Sequence, residues 1–443
     1  MTTRLSAPLP VRRAVIANLG CKVNQAEMDA VERLLRARGV DVLDPRERAD
    51  LVVVNTCTVT GIADRKSRQA VRRARRNNPA ARVLVTGCSA AVDPEALAAA
   101  DPAASIFDNE SKGELLAELA ALLEPSGGRP MTGPAGMGGS VDRTRAFVKI
   151  EDGCSFHCTY CIIPRARGPA RSVAAVAVLA DVERAVAAGH REIVLTGINA
   201  GTYSDAGLGL PGLVRRILAE TTVERIRLSS IEPQHVTDEL LAVWVDSGGR
   251  CLPHFHIPLQ SGDDTILRRM GRRYDTASYA ALAARVRRTM PAAAVHADVI
   301  AGFPGEDDAA WARTLAFLRS LELAGVHVFR YSARPGTPAA RMVGQVDSGT
   351  KKRRAAEGLA LAAAARASFA ARQVGREANV LFERPLGDGR WLGHAATHLL
   401  VSAAASDGAS LENAIGLVRV EAVDPAAADR VVGRLLEVDR RPG

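Results

Sequence analysis

Short apolar runs, each followed by a turn and a helical stretch, constrain the fold of this 443-residue chain more than any other feature. In the first part, residues 14–19, 51–55 and 82–86 read as buried strands. Residues 25–38 and 62–77 read as the helices between them. Because strands that alternate with helices form parallel sheets, we predict an α/β fold that begins with an open parallel sheet domain.

The same alternation resumes after residues 125–140, a stretch with six Gly and three Pro that reads as a linker. Helical patterns such as residues 173–188 and 309–323 separate the strands that follow. The strand candidates are residues 146–150, 192–196, 225–229, 254–258, 295–300 and 325–330. Six such units in about 190 residues predict a partial (β/α)6 barrel rather than a closed barrel of eight strands.

The pattern changes again towards the C-terminus. An Ala-rich helix is predicted at residues 351–373, and short strands follow at 378–383, 390–394, 398–402 and 414–420. The tight-turn sequence at residues 387–389 supports a small C-terminal β-barrel, a shape that often binds oligonucleotides. A capping domain without a ligand is the alternative. The predicted domains are therefore residues 11–125, a linker at 126–140, residues 141–372 and residues 373–439.

A cysteine follows each of the three N-terminal strands. Cys21, Cys57 and Cys88 come directly after the predicted strand ends. Because the carboxyl ends of parallel strands lie along one edge of a sheet, where ligands bind, these thiols are predicted to meet in space. The alternative is three unrelated core residues, since free cysteine is among the most buried residue types.

A second cysteine triplet follows the first strand of the predicted barrel. Cys154, Cys158 and Cys161 have the spacing Cys-x3-Cys-x2-Cys, which can wrap one iron–sulfur cluster in a short loop. Three ligands on a four-iron cluster leave one iron open to a small molecule, and this suggests chemistry rather than electron storage. Structural zinc with His157 is the alternative, but His157 adjoins Cys158 and no second Cys-x2-Cys pair exists.

Composition excludes some classes of protein. Seven cysteines are too few for a disulfide scaffold, and their odd number without a signal peptide predicts reduced thiols and a cytoplasmic location. No run of eighteen uncharged apolar residues occurs, so no membrane span is predicted. The net charge of +9 permits an anionic partner such as RNA. Basic runs recur at residues 72–76, 268–273, 285–288 and 351–354.

Placed together, these features resemble the radical S-adenosylmethionine methylthiotransferases, from about residue 13 to residue 438. The matching stretches are residues 20–25, 55–57, 87–88, 154–168, 258–262, 302–306 and 331–337. The resemblance implies two [4Fe-4S] clusters, a radical S-adenosylmethionine core and a C-terminal TRAM domain. Cys154, Cys158 and Cys161 are expected to bind the cluster that cleaves S-adenosylmethionine to a 5′-deoxyadenosyl radical. The auxiliary cluster, on Cys21, Cys57 and Cys88, is expected to deliver sulfur.

The loops after the barrel strands are expected to contact S-adenosylmethionine. The candidate residues are Thr196, Gly197, Ser230, Glu232 and Gly302. Ordinary turns and helix caps are the alternative, because a tight turn needs Gly and a Ser often caps a helix. The sequence identifies no general base.

Three further residues near these loops receive a structural interpretation. His254 and His256 are interpreted first as residues of the barrel interior and only then as catalytic. Cys251, just before the same strand, is interpreted as a core thiol.

The family contains branches with different substrates. Residues 57–60, 161–164 and 229–233 most resemble the branch that modifies N6-threonylcarbamoyladenosine in the tRNA anticodon loop, although Arg165 stands where an aromatic residue is expected. Isopentenylated adenosine in tRNA and an aspartate of a ribosomal protein are the other targets. The resemblance also implies a low-potential electron donor, flavodoxin- or ferredoxin-like. A non-catalytic iron–sulfur regulator that binds RNA is an alternative from a different class.

Overall fold

The computed structural model describes residues 11–123, 144–405 and 408–439, which divide into two compact units. The first unit holds residues 11–123 with Gly153–Ser155 and Cys161–Pro169. The second holds residues 144–152, Phe156–Tyr160 and the described chain from Ala170 onwards. The predicted linker at residues 126–140 lies outside the described residues. Among the described residues, no helix has the length and hydropathy that a membrane crossing requires.

The first unit is built on a five-stranded parallel sheet in the order β2-β1-β3-β4-β5. Its strands are β1 (Arg13–Asn18), β2 (Asp41–Leu43), β3 (Leu51–Thr56), β4 (Arg82–Gly87) and β5 (Ser105–Ile106). Its first five helices are α1 (Lys22–Ala37), α2 (Gly61–Asn77), α3 (Cys88–Val92), α4 (Pro94–Ala98) and α5 (Lys112–Leu122). A sixth short helix, α6 (Ile163–Arg167), also belongs to this unit.

Helices cover both faces of this sheet, and its central strand shows why. All six residues of β3 are buried, as expected for a parallel strand packed on both faces. One apolar core includes Val53 and Leu35, and the other includes Val52 and Val71. The three strands predicted in this region are confirmed, and the strand order makes β1, β3 and β4 direct neighbours.

The second unit begins with a parallel sheet whose strands follow one another in chain order. Two three-stranded sheets, β6-β9-β12 and β13-β14-β15, are joined by bridges from Ile226 to Cys251 and from Ser230 to His256. The strands are β6 (Arg145–Lys149), β7 (Glu151–Asp152), β8 (Arg171–Ser172), β9 (Glu192–Thr196), β10 (Ser204–Asp205), β11 (Leu208–Gly209), β12 (Arg225–Leu228), β13 (His254–His256), β14 (Ala294–Ala301) and β15 (Gly325–Arg330). The six principal strands confirm the predicted partial barrel.

Helices between these strands complete the barrel and bury its outer face. Val178, Leu213 and Val286, one from each of three helices, are fully buried in the main core. The helices are α7 (Ala175–Ala187), α8 (Leu210–Glu220), α9 (Asp238–Asp246), α10 (Asp264–Arg269), α11 (Thr276–Thr289), α12 (Asp308–Ser320) and α13 (Ser348–Ala371). Single 3-10 turns occur at Ala200–Thr202, Pro233–His235 and Pro338–Arg341.

The chain ends in a closed five-stranded barrel in the order β16-β17-β18-β20-β19, which confirms the predicted C-terminal β-barrel. Its strands are β16 (Glu377–Pro385), β17 (Arg390–Ala395), β18 (Leu400–Ala404), β19 (Ile415–Asp424) and β20 (Ala427–Asp439). The last strand is absent from the sequence prediction, although it closes the barrel by pairing with both β18 and β19.

Candidate functional site

The first cysteine triplet lies along one edge of the N-terminal sheet. Cys21 is the N-cap residue of α1, Cys57 directly follows β3, and Cys88 begins α3 directly after β4. Since β1, β3 and β4 are adjacent parallel strands, all three thiols follow the same ends of neighbouring strands. Cys21 is exposed, Cys57 is half-buried and Cys88 is buried. The set offers three soft sulfur donors, the ligand type that iron–sulfur clusters use.

Gly87 allows Cys88 to come so close to its neighbours. Its φ of +97° is a left-handed backbone conformation that side chains disfavour. A Cβ atom at this position would lie 2.3 Å from Oδ1 of Asn55 and 2.5 Å from the carbonyl oxygen of Thr56. Only glycine fits between β4 and the residues that precede Cys57.

An asparagine and an arginine connect the three cysteine segments. The Cys21 thiol donates to Oδ1 of Asn24 at 3.5 Å, and the Asn24 amide donates to the carbonyl of Thr56 at 3.1 Å. The Arg167 guanidinium donates through Nη2 to Oδ1 of Asn24 at 2.6 Å and through Nε to Sγ of Cys88 at 3.2 Å. Arg167 is the last residue of α6 and belongs to the same compact unit.

Burial and mutual proximity control the charge state of these thiols. Burial first, and then the nearby sulfurs of Cys88 and Cys21, raise the pKa of Cys57 to about 11. Burial also raises the pKa of Cys88, whereas the Arg167 cation acts in the opposite direction. The coupling among the three cysteines is consistent with their predicted meeting at one edge of the sheet.

Two cysteines of the second triplet belong to the first unit. Cys154 and Cys161 are half-buried, and the backbone N–H of Cys154 donates to the carbonyl of Gly168 at 3.1 Å. Gly153, with φ of +76°, lies so close to this segment that a Cβ atom would be 2.1 Å from the carbonyl oxygen of Pro169. The start of the cysteine loop is therefore held against the chain that leaves it.

Cys158 belongs to the second unit and has a different environment. Its Sγ accepts from Nη1 of Arg272 at 3.1 Å, and Nη2 of the same guanidinium donates to the Glu232 carboxylate. The next residue, Thr159, bonds through its backbone N–H to Met270 and through its hydroxyl to the carbonyl of Arg269. These contacts fix the middle of the loop against the segment that joins α10 to α11.

The predicted contacts to S-adenosylmethionine follow the carboxyl ends of three strands of the second unit. Thr196 ends β9 and is buried, Gly197 lies beside the Glu151 carboxylate, and Gly302 follows β14. The backbone N–H of Gly302 donates to Oε1 of Glu306 at 2.8 Å.

Ser230 and Glu232 follow β12. The Ser230 hydroxyl lies 3.4 Å from Nδ1 of His256, and burial raises the pKa of Glu232 while Arg272 opposes the shift. A carboxylate and a hydroxyl at one strand end are groups that can bind sugar hydroxyls.

The sequence prediction missed most of a histidine–aspartate cluster in the second unit. His256 Nε2 lies 2.7 Å from Oδ1 of Asp298, and Nδ1 of His327 lies 3.1 Å from the same oxygen. Although burial opposes it, these histidines hold the pKa of Asp298 at about 2. The available signal was two polar residues, Asp298 of β14 and His327 of β15, within largely apolar strands.

Cys251 precedes β13 and His254 begins it, and both positions agree with the interpretation of these residues as part of the interior. His254 and Cys251 are both buried. Burial raises the pKa of Cys251 to about 12, which keeps this thiol neutral and unreactive.

Two family profiles match this chain. The profile of the radical SAM superfamily matches residues 148–318, and the profile described as uncharacterized protein family UPF0004 matches residues 13–108. Among solved structures, the radical S-adenosylmethionine methyltransferase TsrM from Kitasatospora setae is similar in fold, with a TM-score of 0.55 and 17% identity over 74% of this chain and 75% of that chain. The fold and the superfamily match define a radical SAM enzyme, a class that uses a [4Fe-4S] cluster and S-adenosylmethionine.

Curated relatives define the family within this class. The chain is 39% identical over 352 residues to the threonylcarbamoyladenosine tRNA methylthiotransferase MtaB of Bacillus subtilis (strain 168), covering 76% of this chain and 77% of the relative. It is 31% identical over 435 residues to the tRNA-2-methylthio-N(6)-dimethylallyladenosine synthase of Maricaulis maris (strain MCS10), covering 93% and 95%. The chain belongs to the radical SAM methylthiotransferase family, as its motifs predict.

Proposed function

We propose that the chain adds a methylthio group to C2 of N6-threonylcarbamoyladenosine at position 37, next to the anticodon, in tRNA. The observation that carries this proposal is a difference among its relatives. Five relatives named for threonylcarbamoyladenosine match at 35–39% identity, whereas three named for dimethylallyladenosine match at 31–33%. The matches to the second group cover a larger share of this chain, and this makes dimethylallyladenosine the competing substrate.

The cysteines are the proposed cluster ligands. Cys154, Cys158 and Cys161 hold the cluster that works with S-adenosylmethionine, and Cys21, Cys57 and Cys88 hold the auxiliary cluster. The spacing of the first set and the shared strand ends of the second support this assignment. The proposed domains are residues 11–125 for the auxiliary cluster, 141–372 for the radical core and 373–439 for RNA binding, joined by the linker at 126–140.

When bound, a [4Fe-4S] cluster and S-adenosylmethionine supply one-electron chemistry that side chains lack. The chain's own residues would bind these two groups and orient them. Arg272 holds Cys158 and Glu232 at fixed positions through its Nη1 and Nη2 donors. The Glu232 carboxylate and the Ser230 hydroxyl would accept from ribose hydroxyls, Thr196 and Gly197 would offer backbone groups to the methionine end, and Gly302 would leave room for the adenine. Burial around these residues excludes water from a reactive species.

Two features support tRNA as the macromolecular partner. Helix α2 carries seven Arg and Lys residues against one acidic residue, Asp64, and it begins four residues after Cys57. The C-terminal closed barrel has a shape that often binds oligonucleotides. A low-potential flavodoxin- or ferredoxin-like protein is the proposed electron donor.

The direct test is anaerobic reconstitution of the chain with iron and sulfide, followed by incubation with S-adenosylmethionine, a strong reductant and tRNA. Mass spectrometry of the digested tRNA is expected to detect 2-methylthio-N6-threonylcarbamoyladenosine. Methylthiolated isopentenyladenosine beside unchanged threonylcarbamoyladenosine would assign the chain to the other tRNA branch. Modification of a ribosomal protein aspartate instead would exclude tRNA as the target.

A cysteine variant separates the two proposed clusters. Cys57→Ala is expected to abolish the methylthio product while 5′-deoxyadenosine still forms under reduction. Cys251→Ala is the matched control, because this thiol is buried in the apolar core of the second unit, and it is expected to retain both activities. Normal product from Cys57→Ala would exclude this residue as an auxiliary ligand. Absence of 5′-deoxyadenosine from the iron-loaded native chain would favour a non-catalytic regulator.

A further inference from the structure

We propose that Arg167, held by Asn24, is a positioning residue of the auxiliary cluster that raises its reduction potential. This inference rests on the proposed function, because it takes Cys21, Cys57 and Cys88 as the ligands of that cluster. Nothing in the cysteine spacing assigns Arg167 to the auxiliary site. In sequence it lies six residues after Cys161, at the end of the other cysteine loop.

One pair of side chains contacts all three ligand segments. Asn24 lies within 3.5 Å of the sulfur of Cys21, whose protonated form donates to it, and its amide donates to the carbonyl of Thr56, which directly precedes Cys57. Arg167 bonds both to Asn24 and to Sγ of Cys88. Hydrogen bonds to metal ligands from outside the coordination sphere fix ligand orientation and tune the metal.

Arg167 places a buried positive charge beside the thiols. The Arg167 side chain is 0% exposed, and its Nη1 lies 3.1 Å from the Glu27 carboxylate. Glu27 also accepts from Nζ of Lys112 at 2.5 Å, so this carboxylate contacts two cations. A four-iron cluster on three thiolates has a net charge of about −1 when oxidised and about −2 when reduced. The Arg167 cation, in contact with Sγ of Cys88, therefore stabilises the more negative, reduced state.

Arg167 has little freedom to leave this position. Its helix, α6, is anchored because the Asn109 amide donates to the carbonyl of Ala166 at 2.6 Å. Moving the buried guanidinium away would break its ion pair with Glu27 and its bonds to Asn24 and Cys88, and breaking a buried ion pair is costly. Both the N–H···S bond and the positive charge act in the same direction, towards a higher potential.

The test measures the auxiliary cluster alone. The full chain carrying Cys154→Ala, Cys158→Ala and Cys161→Ala retains only the auxiliary ligands. Its midpoint potential is followed by a redox titration monitored by electron paramagnetic resonance. We expect Arg167→Gln to lower the potential and Arg167→Lys to lower it less, because Lys keeps the charge but loses the forked donor geometry. The control is Arg165→Gln on the same helix, whose side chain is exposed and which is expected to leave the potential unchanged.

The outcomes separate this inference from the proposed function. An unchanged potential in Arg167→Gln, with native iron content, overturns the inference and leaves the function intact. If Arg167→Gln loses iron, Arg167→Lys is titrated instead, and a potential equal to that of the native sequence overturns the inference. Iron loss from every Arg167 variant with native circular dichroism assigns a purely structural role and also overturns the inference. Absence of a cluster from the background chain with Arg167 intact overturns the proposed function itself.

Discussion

The Arg272 guanidinium lies between a proposed cluster ligand and a carboxylate in the second unit. It donates to Sγ of Cys158, to the Glu232 carboxylate and, through Nε, to the hydroxyl of Tyr274 at 2.9 Å. Its side chain is 3% exposed and that of Glu232 is 18% exposed. A forked donor with fixed geometry can hold these groups together, which the single charge of a lysine cannot do.

Loss of this arginine should destabilise the second unit. The variant Arg272→Gln leaves Glu232 without its cation and should lower the free energy of unfolding by about 3 kcal/mol. The double variant Arg272→Gln, Glu232→Gln should recover part of the loss, because no buried charge remains unpaired. Urea unfolding followed by circular dichroism provides the measurement.

The control for this prediction is Arg268→Gln, four residues earlier, at an exposed position on α10. It should change the free energy of unfolding by no more than about 0.5 kcal/mol. Equal destabilisation by the two single variants would contradict a specific role for the contact between Arg272 and Glu232.

The sequence could not predict the partners of single residues such as Arg272, because these contacts join residues that are far apart in the chain. The six cysteines stand out by their spacing and by the strands before them. Arg167 meets Cys88 from 79 positions away, and Arg272 meets Cys158 from 114 positions away. In the sequence, Arg272 belongs to a basic run and looks like a surface residue, and only the fold shows that it is buried.

Helix α2 carries much of the molecule's charge imbalance. Its seven cations and one carboxylate give a net charge of +6, compared with +9 for the whole chain. One face of the helix is buried against the sheet, so most of the cations fall on the opposite face. Arg75 pairs with Asp101, whereas Arg72, Arg73 and Arg76 have no ion pair within the described residues. Such a row of cations suits the phosphates of an RNA strand.

Removing three of these charges should weaken tRNA binding in a salt-dependent way. The variant Arg72→Gln, Arg73→Gln, Arg76→Gln should reduce the slope of log K against log salt by roughly 2, since each lost phosphate contact removes about 0.7. Fluorescence anisotropy with labelled tRNA at several salt concentrations measures this slope.

The matched control neutralises two exposed arginines of α8, Arg215 and Arg216, which already pair with Glu239 and Glu220. This variant should leave the slope nearly unchanged. If tRNA binding survives in the α2 variant while reduction by an acidic flavodoxin slows, the helix binds the electron donor instead.

At the level of elements, the sequence predicted β1, β3 and β4 of the first unit and the six principal strands of the second, because buried parallel strands read as continuous apolar runs. The short strands β2 and β5 were not predicted. The sequence prediction also missed β20, the longest strand at 13 residues. Three register shifts interrupt the pairing of β19 with β20, so the alternation of apolar and polar residues breaks along the strand. Charged residues such as Arg430 and Glu437 within it further obscure the pattern.

Within the second unit, the C-terminal barrel packs on the amino-terminal ends of the parallel strands. Glu192, at the start of β9, is fully buried between Arg225 and Arg227. Although burial opposes it, these two cations lower the pKa of Glu192 to about 2. Arg225 donates onwards to Asn379, and Arg227 donates to the carbonyl of Ala396 at 3.1 Å, both in the C-terminal barrel.

Histidines at this junction should make the stability of the second unit depend on pH. Burial lowers the pKa of His296 to about 3 and lowers that of His398 as well. Below about pH 6.5 the unfolded chain binds protons that these buried imidazoles do not, so stability falls as pH falls from 6.5 towards 3 and is level above that range. Each histidine should contribute a loss of about 2 kcal/mol between pH 7 and pH 5.

Urea unfolding of the cluster-free chain at these two pH values tests this expectation. His296→Gln removes one of the two groups and should show a smaller decline than the native sequence. The charged and titratable groups around His296 are His254, His256, His327, His398, Arg227 and Arg366. An identical decline in the variant would mean that other groups control the acid response.

The C-terminal barrel packs at the starts of the parallel strands, so the length of the strands sets a fixed distance within the second unit. Cys158, Ser230 and Gly302 lie towards the opposite ends of those strands. The eight residues of β14 span about 25 Å, and that length separates the end where the small barrel packs from the end with the proposed S-adenosylmethionine contacts. If tRNA contacts both ends, as the proposed function implies, it must span the full height of the strands, so its length and bend would contribute to its selection.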